Sequence, residues 1–267
     1  MNSSIVPLSY FDLLVAAGLI ILSGIISIII HLHIEKSLFI SSARTLIQLL
    51  LVGYILKWVF HIDNPLVLLI IILVMVFIAA KTAISRSSKI IKGITSLSFF
   101  SLIISSFFTI FVITQLVIGV TPWYSPQYVV PLIGMILGNS LTGISICLDY
   151  LLDAFMSKRA EIEMELSLGA TKWEAARDII RDSIRKGMIP IINSMSVAGI
   201  VSVPGMMTGQ ILGGSDPLDA AKYQIITMFM VASATSFGCI IIAFLVYKRC
   251  FNDEHQLLWN IEKKAKN

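Results

Sequence analysis

Few side chains in this sequence are of types that could do chemistry. Asp149 and Asp153 are one helical turn apart, so their carboxylates can face the same way and attract a cation. An ordinary solvated helix end beside a basic segment explains the pair equally simply, and we favour that interpretation. Met206 and Met207 carry thioethers, which suit Cu(I) better than iron or aluminium. Methionine also fills irregular gaps, so we favour packing or a hydrophobic gate there.

Other polar residues lie within apolar surroundings. Arg44 and Gln48 are one turn apart, and an arginine at that depth either faces a cavity or extends to the lipid headgroups. Asn139 is predicted to hydrogen-bond a neighbouring helix rather than to bind cargo. His31 and His33 are two residues apart and therefore do not share a helix face, which favours an interfacial position.

None of the usual catalytic patterns is present. The sequence has no GxxxxGK[ST] loop to hold nucleotide phosphates, and no HExxH or GxSxG motif. Its three cysteines form no CxxC pair. The sequence therefore predicts a protein that is not an enzyme and has no cofactor of its own.

The composition sets the class of protein. Hydrophobic residues make up 57% of the 267 positions, charged residues only 13%, and the mean hydropathy is +0.89. A soluble domain has about a quarter charged residues. We predict an all-α polytopic membrane protein with seven spans, at about residues 10–31, 42–60, 65–80, 94–118, 128–151, 189–213 and 223–247.

The basic residues predict the orientation. With the N-terminus outside, all 20 lysines and arginines except Lys57 and Lys222 fall on the inner side. The C-terminus is then inside, and the net charge of +4 reflects cytoplasmic loops rather than nucleic-acid binding. Residues 1–267 are predicted to form one multi-pass domain in the cell (cytoplasmic) membrane.

A charged cytoplasmic segment, at about residues 152–188, separates the fifth and sixth spans. Thr171 and Glu174 have the spacing of a capping box, and Gly169 separates the helix that follows from a shorter one before it. Trp173 and Ile180 belong to an apolar stripe along the second helix. This hairpin could rest on the lipid headgroups, or it could be a rigid lever offered to a soluble partner.

Pro204 and Gly205 interrupt the predicted sixth span, where proline must kink or unwind the helix. Gly205, Gly209 and Gly213 then recur at every fourth position. Such a face permits close helix packing. It could also line a pore at a two-fold interface, because discontinuous helices often form substrate sites.

Several motifs occur in an order that resembles a known family. Glu163, five intervening residues and Gly169 are similar to the acid-x5-Gly loop of ABC transporter permeases. The segments LSLGAT (166–171), RDSIR (181–185), VPGMMTG (203–209) and KYQI (222–225) follow, with RTLIQL (44–49) and PLIGMI (131–136) upstream. Together they resemble the FetB-like (UPF0014) family of ABC permeases over nearly the whole chain.

The resemblance implies the permease subunit of an ABC exporter that moves iron or another metal, free or chelated, out of the cytoplasm. Two copies would pair in the bilayer, and a separate ABC ATPase would bind ATP-Mg. The residues implied in contacting the ATPase are Glu163, Glu165, Leu168, Gly169, Ala170, Thr171 and Arg181. Candidates for the translocation path are Arg44, Gln48, Asn139, Pro204, Gly205, Met206, Met207 and Gly209.

Three alternatives remain open at this stage. The cargo could be an organic or conjugated solute, because the spans contain few carboxylates that could coordinate a hard cation. A secondary transporter or channel without an ATPase would predict paired acidic residues at mid-membrane and inverted repeats, neither of which is visible in the sequence. A regulatory or scaffold membrane protein would have no cavity.

Overall fold

The described chain is almost entirely helical. The computed structural model describes residues 9–61, 64–85, 89–91, 93–252, 254, 256–258 and 261–263. Within them lie α1 (Tyr10–Ile29), α2 (Glu35–Val59), α3 (Pro65–Ser85), β1 (Lys89–Ile91), α4 (Ile94–Val112), a π-helix (Ile113–Ile118), α5 (Pro126–Ser157), α6 (Arg159–Ser167), α7 (Lys172–Val197), α8 (Gly205–Leu212), α9 (Pro217–Cys250) and β2 (Ile261–Lys263).

Six helices in the described residues are long and apolar enough to cross a membrane. They are α1, α2, α3, α4 with the π-helix, α5 and α9. The prediction of an all-α polytopic membrane protein is therefore confirmed. The predicted span at 189–213 differs, because it is divided between the second half of α7 and the short helix α8. The count of seven spans and the orientation stay predictions.

The chain forms two compact units, and a single permease domain stays a prediction. The first unit holds the described residues of Met1–Asp63 together with Ile211–Ser215. In it α1 begins with a capping box at Ser9 and packs closely on α2, where a Cβ on Gly24 would lie 2.7 Å from the Phe39 ring. The second helix begins at Glu35, seven residues before the predicted boundary at 42. The Glu35 carboxylate accepts a 2.8 Å hydrogen bond from Ser27 and suits a helix N-terminus.

The second unit, Asn64–Gln210 with Asp216–Asn267, is centred on α5 and α9. These helices have 32 and 34 residues, so each is about 50 Å long against a hydrocarbon core of about 30 Å. Both therefore extend beyond the predicted spans at 128–151 and 223–247. Buried aliphatic side chains line α5 along most of its length, among them Ile133, Ile136, Ile144, Leu148 and Leu151.

The two ends of this unit differ in character. At the proline end, α3, α5 and α9 begin at Pro65, Pro126 and Pro217. Asp216 caps α9 by accepting hydrogen bonds from the amides of Leu218 and Asp219. At the charged end lie β1, α6, the start of α7 and the end of α9.

A small antiparallel sheet at the charged end was not predicted. Three-residue strands pair Lys89 with Lys263 and Ile91 with Ile261. The Lys89 ammonium also forms an ion pair with Asp153 near the end of α5. Strands this short have no periodic pattern, and their partner lies far away in the sequence, so only the tertiary structure reveals them.

The closest helix crossing brings α5 and α7 into backbone contact. A Cβ on Gly187 would lie 2.7 Å from the carbonyl oxygen of Gly143 and 2.9 Å from the sulfur of Cys239 on α9. The converse Cβ on Gly143 would lie 2.9 Å from the Gly187 carbonyl oxygen. These glycines were not predicted to be contact points. Gly205 and Gly209, whose spacing permits close helix packing, have no neighbour of this kind within 4 Å.

We predict that Gly187→Ala lowers the free energy of unfolding by about 1–3 kcal/mol, because the added methyl group overpacks a backbone contact. In a helix interior alanine is normally more stable than glycine by up to about 1 kcal/mol. The expected loss of stability is therefore opposite to the effect of helix propensity. Thermal unfolding of the purified protein in detergent measures it. Gly18→Ala, which adds the same methyl group in open space on α1, is the control and should be neutral or stabilising. An unchanged or raised Tm for Gly187→Ala would contradict the crossing.

Candidate functional site

The corner between α6 and α7 has a fixed backbone conformation. After α6 ends, Gly169 adopts φ +94°, a left-handed conformation in which a side chain would be strained. Its amide donates to the carbonyl of Leu166 at 3.1 Å, and the Ala170 amide donates to that of Glu165 at 3.0 Å. This pair of bonds is a Schellman motif, so the predicted glycine break is confirmed as a defined turn.

Thr171 then starts α7 with the predicted capping box. The Thr171 amide donates to the Glu174 carboxylate at 2.8 Å, and the Glu174 amide donates to the Thr171 hydroxyl at 3.3 Å. The hydroxyl also donates to the same carboxylate at 2.7 Å. These backbone and side-chain hydrogen bonds from Thr171 hold the pKa of Glu174 below its ordinary value.

The corner presents an apolar tip to its surroundings. Leu168 exposes 80% of its surface, whereas Ile162 on α6 is fully buried and anchors the short helix. Glu163 is partly exposed and bonds the Nε of Arg159 at 2.5 Å. The side chain of Glu165 is half-buried beside the turn. A rigid turn with one exposed leucine and flanking carboxylates is suited to binding another protein.

The helix α7 has one apolar face and one charged face, as predicted. Trp173 stacks on Phe244 of α9 with ring centroids 5.5 Å apart, and Ile180 is buried farther along. Beside this apolar face, Arg181 lies between Asp178 and Asp182, at 3.6 and 3.7 Å. These exposed pairs contribute little to stability, so the charged face is available for other contacts.

The break between α7 and α8 is longer than the sequence indicated. Pro190 does not end α7, which continues to Val197. The chain then turns through Gly199, at φ +81°, whose amide donates to the Ser202 carbonyl at 2.8 Å, and α8 begins only after Pro204. The unwinding predicted at Pro204–Gly205 is therefore present but starts six residues earlier. The other amides of the turn, those of Ile200, Val201 and Ser202, donate to the Val197 carbonyl, so the amides need no partner from a neighbouring helix.

A cavity of about 430 Å³ lies at the proline end of the second unit. We call it the α5–α8–α9 cavity. Met206 and Gln210 line it from α8, Met135 from α5, and Tyr223 and Thr227 from α9. The Thr227 hydroxyl lies 3.3 Å from the Met206 sulfur. Of the translocation-path candidates, the structure brings Met206 alone to this cavity, while Met207 is half-buried elsewhere on α8.

Asn139 lies exposed near the middle of α5. Its side-chain amide donates to the Met135 carbonyl at 2.9 Å, so it bonds its own helix rather than a neighbouring one. Gly205 and Gly209 on α8 are likewise open to their surroundings. Arg44 and Gln48 are exposed on α2 in the first unit. A role of these residues in a translocation path stays a prediction.

The predicted acidic pair lines a second cleft of about 430 Å³ at the charged end. Asp149, Asp153 and Lys186 all contribute to it, and the Lys186 ammonium lies 5.8 Å from the centre of the Tyr150 ring. Asp153 is already paired with Lys89, so the chain itself supplies a cation there. In the described residues, no group of three or more His, Cys, Asp or Glu side chains could hold a metal ion. Metal binding by the pair stays a prediction.

Comparisons with known proteins agree with this architecture. Residues 10–251 match the family model described as "Uncharacterised protein family (UPF0014)". The chain belongs to the UPF0014 family. It is 38% identical to the probable iron export permease protein FetB of Escherichia coli over 253 residues, or 95% of this chain and 96% of that protein.

Other UPF0014 relatives come from distant organisms. The chain is 39% identical to the membrane protein slr1647 of Synechocystis over 85% of this chain and 88% of that protein. It is 29% identical to ALUMINUM SENSITIVE 3 of Arabidopsis thaliana over 91% of this chain and 87% of that protein. No solved structure matches significantly. The family and the six apolar helices establish a multi-pass membrane protein.

Sequence reasoning on this UPF0014 protein missed several residues that form the site. Gly143 and Gly187 were not singled out, because their contact joins residues 44 positions apart. Met135 was not connected with Met206 for the same reason, since 71 positions separate them. A weak signal was available for Gly187, which follows the last charge of the amphipathic stretch, Lys186.

We predict that Thr171→Val speeds amide hydrogen exchange in the first turn of α7, because loss of an N-cap costs about 1 kcal/mol. The pKa of Glu174 is lowered in the folded protein, so the capping box stabilises α7 fully above the ordinary glutamate pKa and loses this effect as the pH falls through the lowered value. The difference in amide protection between Thr171→Val and wild type should therefore become smaller at acidic pH. Thr208→Val, on α8, is the control. Equal exchange in Thr171→Val and wild type at neutral pH would contradict the capping role.

Proposed function

We propose that this chain is the permease subunit of an ABC exporter. Two copies pair in the cell membrane, and a separate ABC ATPase, which binds ATP-Mg, docks at the charged end on the cytoplasmic side. The name of the E. coli relative supports iron, or another metal, as the cargo. The chain itself needs no cofactor in this scheme.

The α6–α7 corner is the observation that carries this proposal. Its conformation is fixed by the Schellman bonds at Gly169 and the capping box at Thr171, yet Leu168 is exposed at its tip. A leucine held at the tip of a rigid turn can enter an apolar pocket of a partner without further ordering of its backbone, which lowers the cost of binding. Headgroup binding would instead favour a broad apolar face with basic residues beside it, whereas carboxylates flank this tip.

The remainder of α7 is suited to transmitting movement. It is continuous from Lys172 through Pro190 to Val197, and its apolar face is held to α9 by Trp173 and to α5 by Gly187. From Lys172 to Gly187 the helix rises by roughly 22 Å. A displacement of the corner is thus transmitted along α7 to the Gly143–Gly187 crossing. From there it continues to the break before α8.

The open side of the second unit supports pairing of two copies. Asn139 on α5 and Gly205 and Gly209 on α8 have little or no covering from other helices of the unit. Glycine faces permit close approach of another helix, and exposed amides in a membrane favour a protein or water neighbour over lipid. We place the translocation path between the copies, with Asp149 and Asp153 near its inner mouth.

We predict that Leu168→Asp abolishes co-purification of a co-expressed ABC ATPase with the tagged permease. A carboxylate buried in the apolar pocket of a partner would be strongly unfavourable. Leu218→Asp is the matched control, because Leu218 is exposed to a similar degree, 73%, at the opposite end of the unit. Retention of the ATPase by Leu168→Asp, or its loss from both variants, would overturn the corner as the docking site.

Transport is tested in inverted membrane vesicles that contain the permease with or without the ATPase. We expect uptake of iron only when the ATPase and ATP-Mg are both present, and none with a non-hydrolysable ATP analogue. Uptake that needs neither the ATPase nor ATP, but follows an ion gradient, would replace the proposal with a secondary transporter or channel.

A further inference from the structure

The α5–α8–α9 cavity has an uncharged wall. Its polar groups are amides, hydroxyls and thioethers, and among the described residues no Asp, Glu, Lys, Arg or His side chain lines it. Its volume of about 430 Å³ lies in the range of pockets for small organic molecules. Such a pocket recognises its ligand by shape and a few hydrogen bonds rather than by charge.

One wall atom requires a hydrogen-bond donor. The side-chain oxygen of Gln210 is buried, and it has no hydrogen-bond partner in the described part of the chain. Buried polar atoms in native proteins are nearly always bonded, and an acceptor without a donor is costly. Gln210 lines the cavity, so a rotation of its side-chain amide presents this oxygen to a ligand inside, which can then supply the donor.

Bare cations fit this wall poorly. A hard ion such as iron prefers carboxylate oxygen or imidazole nitrogen, and the cavity offers neither. A soft ion could use the thioethers of Met135 and Met206, but the Thr227 hydroxyl is already within hydrogen-bonding distance of the Met206 sulfur. Two thioethers without a thiolate also leave a soft cation without charge compensation.

We propose that the α5–α8–α9 cavity binds an uncharged small organic molecule that donates a hydrogen bond to the Gln210 side-chain oxygen. This inference rests on the proposed permease role, and it means that a metal cargo would have to enter this cavity within an uncharged complex. Tyr128 and Tyr223 at the cavity are 42% and 38% exposed, so a ligand has access from the surface.

The test uses three naphthalene probes that differ in one property each. 2-Naphthol is neutral and has a donor, 2-methoxynaphthalene is neutral without a donor, and 6-hydroxynaphthalene-2-sulfonate has a donor but is anionic. Equilibrium dialysis is performed with the permease alone in lipid nanodiscs, and binding to empty nanodiscs is subtracted. Ag⁺, a soft cation, is measured in parallel.

We expect saturable binding of 2-naphthol that is about threefold to tenfold tighter than that of 2-methoxynaphthalene, as one hydrogen bond allows. The sulfonate should not bind. Gln210→Leu should remove the preference for 2-naphthol, whereas Thr208→Val, also on α8 with its hydroxyl bonded to its own helix, should retain it.

Three results would overturn the inference. Equal binding of 2-naphthol to Gln210→Leu and wild type would indicate non-specific partition or a lipid-filled cavity. Tighter binding of the sulfonate would indicate an anion site. Binding of Ag⁺ that Met206→Leu abolishes, without 2-naphthol binding, would indicate a soft-cation site. Because no ATPase is present, the result is independent of the ATPase and flux experiments, and the two proposals can fail separately.

Discussion

The backbone contact between Gly143 and Gly187 is the constraint on which the second unit depends. With no side chain between them, the separation of α5 and α7 is set by the backbones themselves, and the Cys239 sulfur of α9 fills the remaining side. Three helices are thereby fixed at one depth. Close-packed interiors resist changes in the separation of their helices. When α7 is displaced, it therefore rotates about its contact with α5 more easily than it moves away from α5.

The same crossing separates two chemical environments along the chain. The charged face of α7 ends at Lys186, immediately before Gly187, and no charged residue follows until Asp216. Upstream, the stack of Trp173 on Phe244 holds the apolar stripe to α9 while the charged face stays exposed. One helix thus has a polar half suited to a soluble partner and an uncharged half suited to the membrane, and the contact with α5 lies where they meet.

Features determined by neighbouring residues could be predicted from the sequence, and features determined by distant ones could not. The capping box at Thr171 and the turn at Gly169 depend on residues within one turn, and both were predicted correctly. The Gly143–Gly187 crossing, the pairing of β1 with β2 and the α5–α8–α9 cavity depend on contacts between distant residues. Glycines repeated every fourth residue suggested packing at Gly205 and Gly209, but in this chain that face is open.

In the proposed export route, the uncharged stretch from Met188 to Ser215 restricts what can pass. A permanent charge at mid-membrane is stable only beside an opposite charge or water, and neither this stretch nor the α5–α8–α9 cavity supplies an opposite charge. A metal ion passing this region would therefore have to bring its own ligands, with their charges balanced, from the cytoplasm. Such a complex resembles a neutral organic solute in size and surface, so metal export and an uncharged cavity are physically compatible in one permease.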